Sequence, residues 1–428
     1  MKKFICGFLS VLIFLVTLTN IGNLSISADN STDFSVAAKA AIAVDASSGK
    51  ILYSQNAKES DMGIASITKL LTVYLTYQAV AEHKLSWNTP VTISDYSYNI
   101  TQNLDASNVT MTKGASYTVK DLVDAALVPS ANSAAIALAE KISGTEPKFV
   151  DKMRAQLKSW GISDATIVNA SGLNNSDLEG NIYPGSGSNA ENMMSAEDVA
   201  VIATHLLHDF PDVLQITKQS SIVFDKGGQN QQTMNSTDAM LAGGANARTG
   251  VDGLKTGNTT YAGNCFVGTT SQNGFRIITV VLDTDDNSDD SARFTTTNSL
   301  MNEIYGNWQA YGIASKGESV PGHTNIAIKN AKEKTTKLVA KNDFSVVIPV
   351  GTQPDYQLTV SKADNNLQAP ISADSSILTA QATIKDKLGY LPSFNGVSAT
   401  LVASVPVDRA NPFVLLWDNF VSFVNEKL

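Results

Sequence analysis

The chain has 428 residues, 43% of them hydrophobic and 17% charged, with a formal net charge of -9. A chain of this length buries a sizeable core and divides into more than one domain, and its ordinary apolar content excludes a disordered polypeptide. The acidic balance, with no basic stripe anywhere, excludes a nucleic-acid-binding protein.

The first element is a leader. Lys2 and Lys3 precede an apolar stretch over 4–18, and small and polar residues end at Ser27 and Ala28. This pattern predicts a secretory signal peptide over 1–28, and hence an exported protein; the alternative is an uncleaved anchor. No later stretch is apolar for 18 residues, so no transmembrane helix is expected. Cys6 leaves with the leader, so Cys265 has no partner for an intrachain disulfide. Its apolar run, 265–268, reads as a buried and inert thiol.

After the leader, apolar residues 40–44, a turn over 45–49 and a return over 50–53 read as a hairpin. Residues 67–80 are apolar on nearly all sides and lack Gly and Pro, the mark of a buried helix. A second helix is expected over 119–127. Pro129 breaks it, and a third runs over 131–142. Ser195, followed by Glu197 and Asp198, reads as a helix start. Residues 251–254 and 277–282 read as core strands. Beyond the turn signals of 312–322, short alternating runs are separated by Gly, Pro, Asn and Asp, which predicts an all-β sandwich over 318–410.

The segment 411–428 differs again. At 100° per residue, Phe413, Leu416, Trp417, Phe420, Val421, Phe423, Val424 and Leu428 share one arc, with Asp418, Asn419, Ser422, Asn425 and Glu426 opposite. This is an amphipathic helix, read as a peripheral membrane anchor, the alternative being a helix docked on the β domain.

For chemistry, the chain lacks a Gly-x-Ser-x-Gly elbow, a His-Glu-x-x-His pair, a Walker loop and a Gly-x-Gly-x-x-Gly turn. Among its four histidines, His205 and His208 lie one turn apart and read as helix-surface residues. Ser66-Ile67-Thr68-Lys69 opens the buried helix, with hydroxyl and amine almost one turn apart. A lysine buried there loses solvation, and its neutral amine can take the serine proton. Ser47-Ser48-Gly49-Lys50 matches the same pattern, but in a turn. Ser130-Ala131-Asn132 falls on the loop between helices, and Lys255-Thr256-Gly257 on an edge strand. There Lys255 supplies a charge, Thr256 a hydroxyl, and Gly257 room for a substrate backbone. The order and placement of the three motifs are far more specific than any one alone.

On these residues the sequence resembles the serine-type D-alanyl-D-alanine carboxypeptidases, the low-molecular-mass penicillin-binding proteins. The surroundings at 38–56, at Asn169-Ala170-Ser171-Gly172-Leu173 and at 250–254 are similar as well. The resemblance implies a penicillin-recognising α/β catalytic domain over 35–315, followed by the β-sandwich and the terminal helix. It implies Ser66 as acylated nucleophile, Lys69 as its base and Ser130 as proton relay. Asn132, Lys255, Thr256 and Gly257 would bind substrate, and the backbone N–H groups of Ser66 and Asn258 would form the oxyanion hole. No metal or cofactor is implied. The expected reaction removes the terminal D-alanine from peptidoglycan pentapeptide stems, at the outer face of the cytoplasmic membrane or in the cell wall, and β-lactams are the expected covalent inhibitors. A class A β-lactamase-like hydrolase, a transpeptidase and an inactive wall-binding module are the alternatives.

Two further features are read as structural. Asp283, Asp285, Asp286, Asp289 and Asp290 form a solvated acidic loop that lacks the glycine and closing glutamate of a calcium loop. Arg248 is read as an exposed arginine, with carboxylate binding the alternative.

Overall fold

The computed structural model describes residues 34–286, 288–362 and 367–427. The leader expected over 1–28, Cys6 included, lies outside them. The first strands, β1 (Ala38–Asp45) and β2 (Ile51–Gln55), form the expected antiparallel hairpin. The buried carboxylate of Asp45 closes its turn by accepting from the Ser47 hydroxyl at 2.7 Å and the Ser48 N–H at 3.1 Å.

The helix expected over 67–80 begins as a 3-10 turn, Ala65–Thr68, and continues as α1 (Lys69–Ala81). Only Gln78, Val80 and Ala81 of α1 escape full burial, so this helix runs through the core. The chain then passes through β3 (Pro90–Thr92), α2 (Asp95–Ile100) and β4 (Ser116–Thr118). Next come α3 (Val119–Leu127), α4 (Asn132–Ser143) and α5 (Glu146–Ser159). Thr118 and Asp121 form a capping box on α3, and Ser195 and Asp198 another on α6 (Ala196–Asp209). Each such N-cap contributes about 1 kcal/mol.

Beyond α7 (Leu214–Thr217) and the small hairpin β5 (Ser221–Phe224) and β6 (Gln232–Asn235) lie three long strands. They are β7 (Val251–Thr259), β8 (Gly263–Gln272) and β9 (Phe275–Thr284). With the first hairpin they form one antiparallel sheet in the order β2-β1-β9-β8-β7, which leaves β7 at an edge. The sequence signal marked 251–257 of β7 and the apolar centre of β9, and in β8 only the apolar run 265–268. Gly268 and Ser271 carry little strand signal of their own; the ladders on both sides of β8 hold this end extended. Cys265 is fully buried in this strand, and burial pushes its thiol up to about 12. In α8 (Ala292–Asn307), which follows the acidic loop, Arg293 pairs with Asp290 at 2.6 Å; Lys39 reaches Asp283 at 2.5 Å.

The β domain holds a two-stranded sheet, β10 (Trp308–Ala314) with a strand over Phe344–Pro349, and a five-stranded one. The strand over Phe344–Pro349 is β13, and the larger sheet holds β11 (Asn325–Ala327), β12 (Thr335–Ala340), β14 (Tyr356–Val360), β15 (Ser376–Ile384) and β16 (Val397–Ala403). The larger sheet runs β11-β12-β16-β15-β14. Ile313 and Val346 from the small sheet and Leu378 and Leu401 from the large one share a core, which is a sandwich. Residues 308–314, placed by sequence in the first domain, therefore contribute to the core of the second.

The β15–β16 loop clasps the α/β domain. Lys50 is 2% exposed and meets Asp386 at 2.7 Å, while the Leu391 N–H donates to Gly49 O at 2.8 Å and the Ser393 hydroxyl to Trp160 O at 2.7 Å. His205, expected on the surface, is instead stacked on Trp160 (centroids 4.4 Å, 8°) and packed against Phe394 (4.8 Å). Its partner ring belongs to a residue 189 positions away, so no local pattern shows the burial. His208 is exposed as expected.

The terminal helix α9 spans Pro412–Lys427. Phe413 is 81% exposed, Trp417 65% and Phe423 60%, so its apolar arc is not docked on the β domain. The polar-arc side chains Asp418, Asn419, Ser422, Asn425 and Glu426, and Leu428, lie outside the described residues. Among the described residues, no helix is long and apolar enough to cross a membrane.

Candidate active site

Ser66 lies in the 3-10 turn and Lys69 is the first residue of α1. The turn is held against a loop at 169–173. Gly172 has φ +85°, and a Cβ there would come within 1.9 Å of the Ala65 carbonyl, so only glycine fits. Asn169 Oδ1 accepts from the N–H groups of Ser171 and Gly172, at 3.2 and 2.6 Å. Asn192 ties that loop to the turn, donating to Asn169 O and to Thr68 Oγ1, both at 2.9 Å.

Lys69 Nζ is wholly buried and has three oxygen neighbours at 2.7 Å: Ser66 Oγ, Asn132 Oδ1 and Ser171 O. Burial first, and then the charge of Lys255, push this amine well below the ordinary lysine range. A neutral amine has two N–H groups and one lone pair. The Asn132 and Ser171 oxygens can only accept, so they take the two N–H groups and leave the lone pair for the Ser66 proton. The geometry therefore suits proton transfer from serine to lysine.

Asn132 is the first residue of α4, and its Nδ2 donates to Ser107 O at 3.0 Å. Both ends of this amide serve the protein, so Asn132 orients Lys69 in addition to lining the cleft. Ser130 sits at φ +67° between α3 and α4, is 3% exposed, and its hydroxyl makes no hydrogen bond among the described residues.

The third motif lies on β7, the sheet edge. Lys255 is 1% exposed and donates to Thr256 O at 3.0 Å. Burial, then the nearby Arg293, bring it down to about 7, while Asp238 opposes the shift. At Gly257 a Cβ would come within 2.8 Å of the Ile64 carbonyl, so its absence lets β7 close on the turn that carries Ser66. Asn258 is exposed, and its amide donates to Asn264 Oδ1 at 2.5 Å. A cavity of about 430 Å³ opens here, lined among others by Ser66, Asn132, Gly172, Glu191 and Asn258.

Arg248, near this motif in sequence, is half-buried and turned to α8, bonded to Asn298 Oδ1 at 2.5 Å and Asn302 Oδ1 at 2.6 Å. Sequence reasoning missed Glu146, Asn192 and the Ser171 carbonyl. Glu146 follows the N-cap Thr145 in the first turn of α5, a place where acids ordinarily face solvent. It is in fact 4% exposed, receives the Ala170 N–H at 2.8 Å and the Tyr96 hydroxyl at 2.7 Å, and is pushed up to about 7 by burial.

A serine bonded to a buried lysine of the following turn, beneath an edge strand with a second buried lysine, is the arrangement of the penicillin-recognising serine enzymes, and the α/β domain with its β-sandwich is their low-molecular-mass architecture. The chain belongs to the D-alanyl-D-alanine carboxypeptidase family, whose model matches residues 26–286, and the model of the penicillin-binding protein 5 C-terminal domain matches 308–408. It is 27% identical over 412 residues to the D-alanyl-D-alanine carboxypeptidase DacA of Haemophilus influenzae, covering 95% of each chain. Among solved structures, it is similar to a peptidoglycan synthesis regulatory factor (PBP3) from Streptococcus pneumoniae, with 44% identity and a TM-score of 0.76 over 87% of this chain and 100% of that one. It is also similar to ampicillin-bound penicillin-binding protein D2 from Listeria monocytogenes, with 31% identity and a TM-score of 0.51 over 64% of this chain and 99% of that one.

Proposed function

We propose that the protein is an exported serine D-alanyl-D-alanine carboxypeptidase that trims the terminal D-alanine from peptidoglycan pentapeptide stems. The observation that carries this reading is the buried Lys69 amine at 2.7 Å from Ser66 Oγ, with its other two neighbours acceptors only. Ser66 Oγ attacks the carbonyl carbon of the penultimate D-alanine, and its proton passes to Lys69. The backbone N–H groups of Ser66 and Asn258 stabilise the oxyanion. The C–N bond breaks, Ser130 relays the proton to the departing D-alanine amine, and water hydrolyses the acyl-serine. Asn132 and Gly257 shape the binding cleft, and Lys255 and Thr256 face the terminal carboxylate. β-Lactams acylate the same serine, and the exposed apolar arc of α9 holds the enzyme on the outer face of the cytoplasmic membrane.

The test is Ser66→Ala. D-alanine release from a synthetic pentapeptide ending in D-alanyl-D-alanine should fall by about a thousandfold or more, and the penicillin adduct seen by mass spectrometry should vanish. Release or adduct at the wild-type level would overturn the assignment.

A further inference from the structure

Arg248 is committed to α8, and the arginine beside the third motif, Arg293, is engaged with the protein, donating to Gly257 O at 2.9 Å and pairing with Asp290 at 2.6 Å. Lys255 and a pair of hydroxyls remain for a substrate carboxylate. Thr256 Oγ1 lies 2.7 Å from Thr237 Oγ1. Thr256 is 7% exposed, whereas Thr237 is exposed. Side chains alternate along a strand, so Thr256 faces the same side of β7 as Asn258, which lines the cavity beside Ser66.

Thr237 is also held in place. Its N–H donates to Val128 O at 3.2 Å, two residues before Ser130, and the preceding Ser236 N–H donates to Ser220 O at 2.9 Å. The following residue, Asp238, is buried, accepts the Met240 N–H at 2.8 Å and favours the cationic form of Lys255. Two hydroxyls bonded to each other use one proton between them and leave the second unused. A carboxylate has two oxygens and takes both protons, in charge-assisted bonds stronger than the one it replaces.

We propose that Thr237 is a second hydroxyl donor to the substrate's terminal carboxylate, paired with Thr256 and completed by the charge of Lys255. This rests on the carboxypeptidase reading above. Thr237 comes from the segment after β6, so the subsite joins two segments that the sequence separates. A ligand without the negative charge gains nothing from it.

The experiment compares acylation by benzylpenicillin with acylation by its uncharged methyl ester, in wild type, Thr237→Ala and Thr237→Ser. In T237A the second-order rate with the acid should fall about tenfold, the worth of one charge-assisted hydrogen bond, with the ester rate unchanged. T237S should restore the acid rate. An unaltered acid rate in T237A, or acid and ester falling together as in a structural defect, would overturn the inference alone. No adduct on the wild-type enzyme would overturn the carboxypeptidase reading and this inference with it.

Discussion

Glu146 Oε1 accepts a hydrogen bond from the Ala170 N–H at 2.8 Å and so ties the first turn of α5 to the loop whose next carbonyl, Ser171 O, holds Lys69. The carboxyl is buried and raised from 4.5 to about 7. The folded protein therefore binds more protons at this group than the unfolded chain does between those values, and stability falls as pH rises through that window.

Glu146→Gln should remove this slope. The amide oxygen still accepts from Ala170, and the Tyr96 hydroxyl can turn to accept from the new NH₂ group. Urea unfolding at pH 5 and pH 8 should show wild type losing up to about 3 kcal/mol more than the variant across that range. Equal losses in the two proteins would show that Glu146 does not titrate there.

Lys50 joins the two domains through Asp386 at 2.7 Å and Gly389 O at 3.0 Å. It is buried, while Asp386 is 31% exposed, so Asp386 can rehydrate when its partner is lost. Lys50→Met should cost about 2 kcal/mol in unfolding free energy. In a double-mutant cycle with Asp386→Asn, the pair should cost less than the sum of the single changes. Strict additivity would deny the coupling.

Removal of 412–428 should abolish co-sedimentation with neutral phosphatidylcholine vesicles and leave the rate of penicillin labelling within about twofold of full length, since the helix carries apolar rather than basic residues toward the bilayer. Binding of the full chain should survive high salt, because apolar burial and not charge supplies the affinity. Equal sedimentation of full-length and shortened chains would refute a membrane role for α9.

What local spacing encodes was legible before any coordinates. Ser66 and Lys69 are three residues apart on one helix start, Ser195 and the acids after it open a helix within four residues, and the alternation past residue 322 marks strands; short-range geometry dictates each of these. The exceptions follow the same logic. The Thr- and Gly-rich end of β8 became a strand because neighbours on both sides pair with it. His205 left the surface because Phe394, from the other domain, covers it.

From the amino-acid order alone came the Ser66–Lys69 pair, the two further motifs and the succession of an α/β region, a β region and an amphipathic end. Only the tertiary structure decided what pushes the Lys69 amine well below the ordinary lysine range. Asn132, Ser171 and Lys255 reach Lys69 from 63, 102 and 186 positions away, and exclusion of water from an amine depends on what folding packs around it, which no spacing along the chain records.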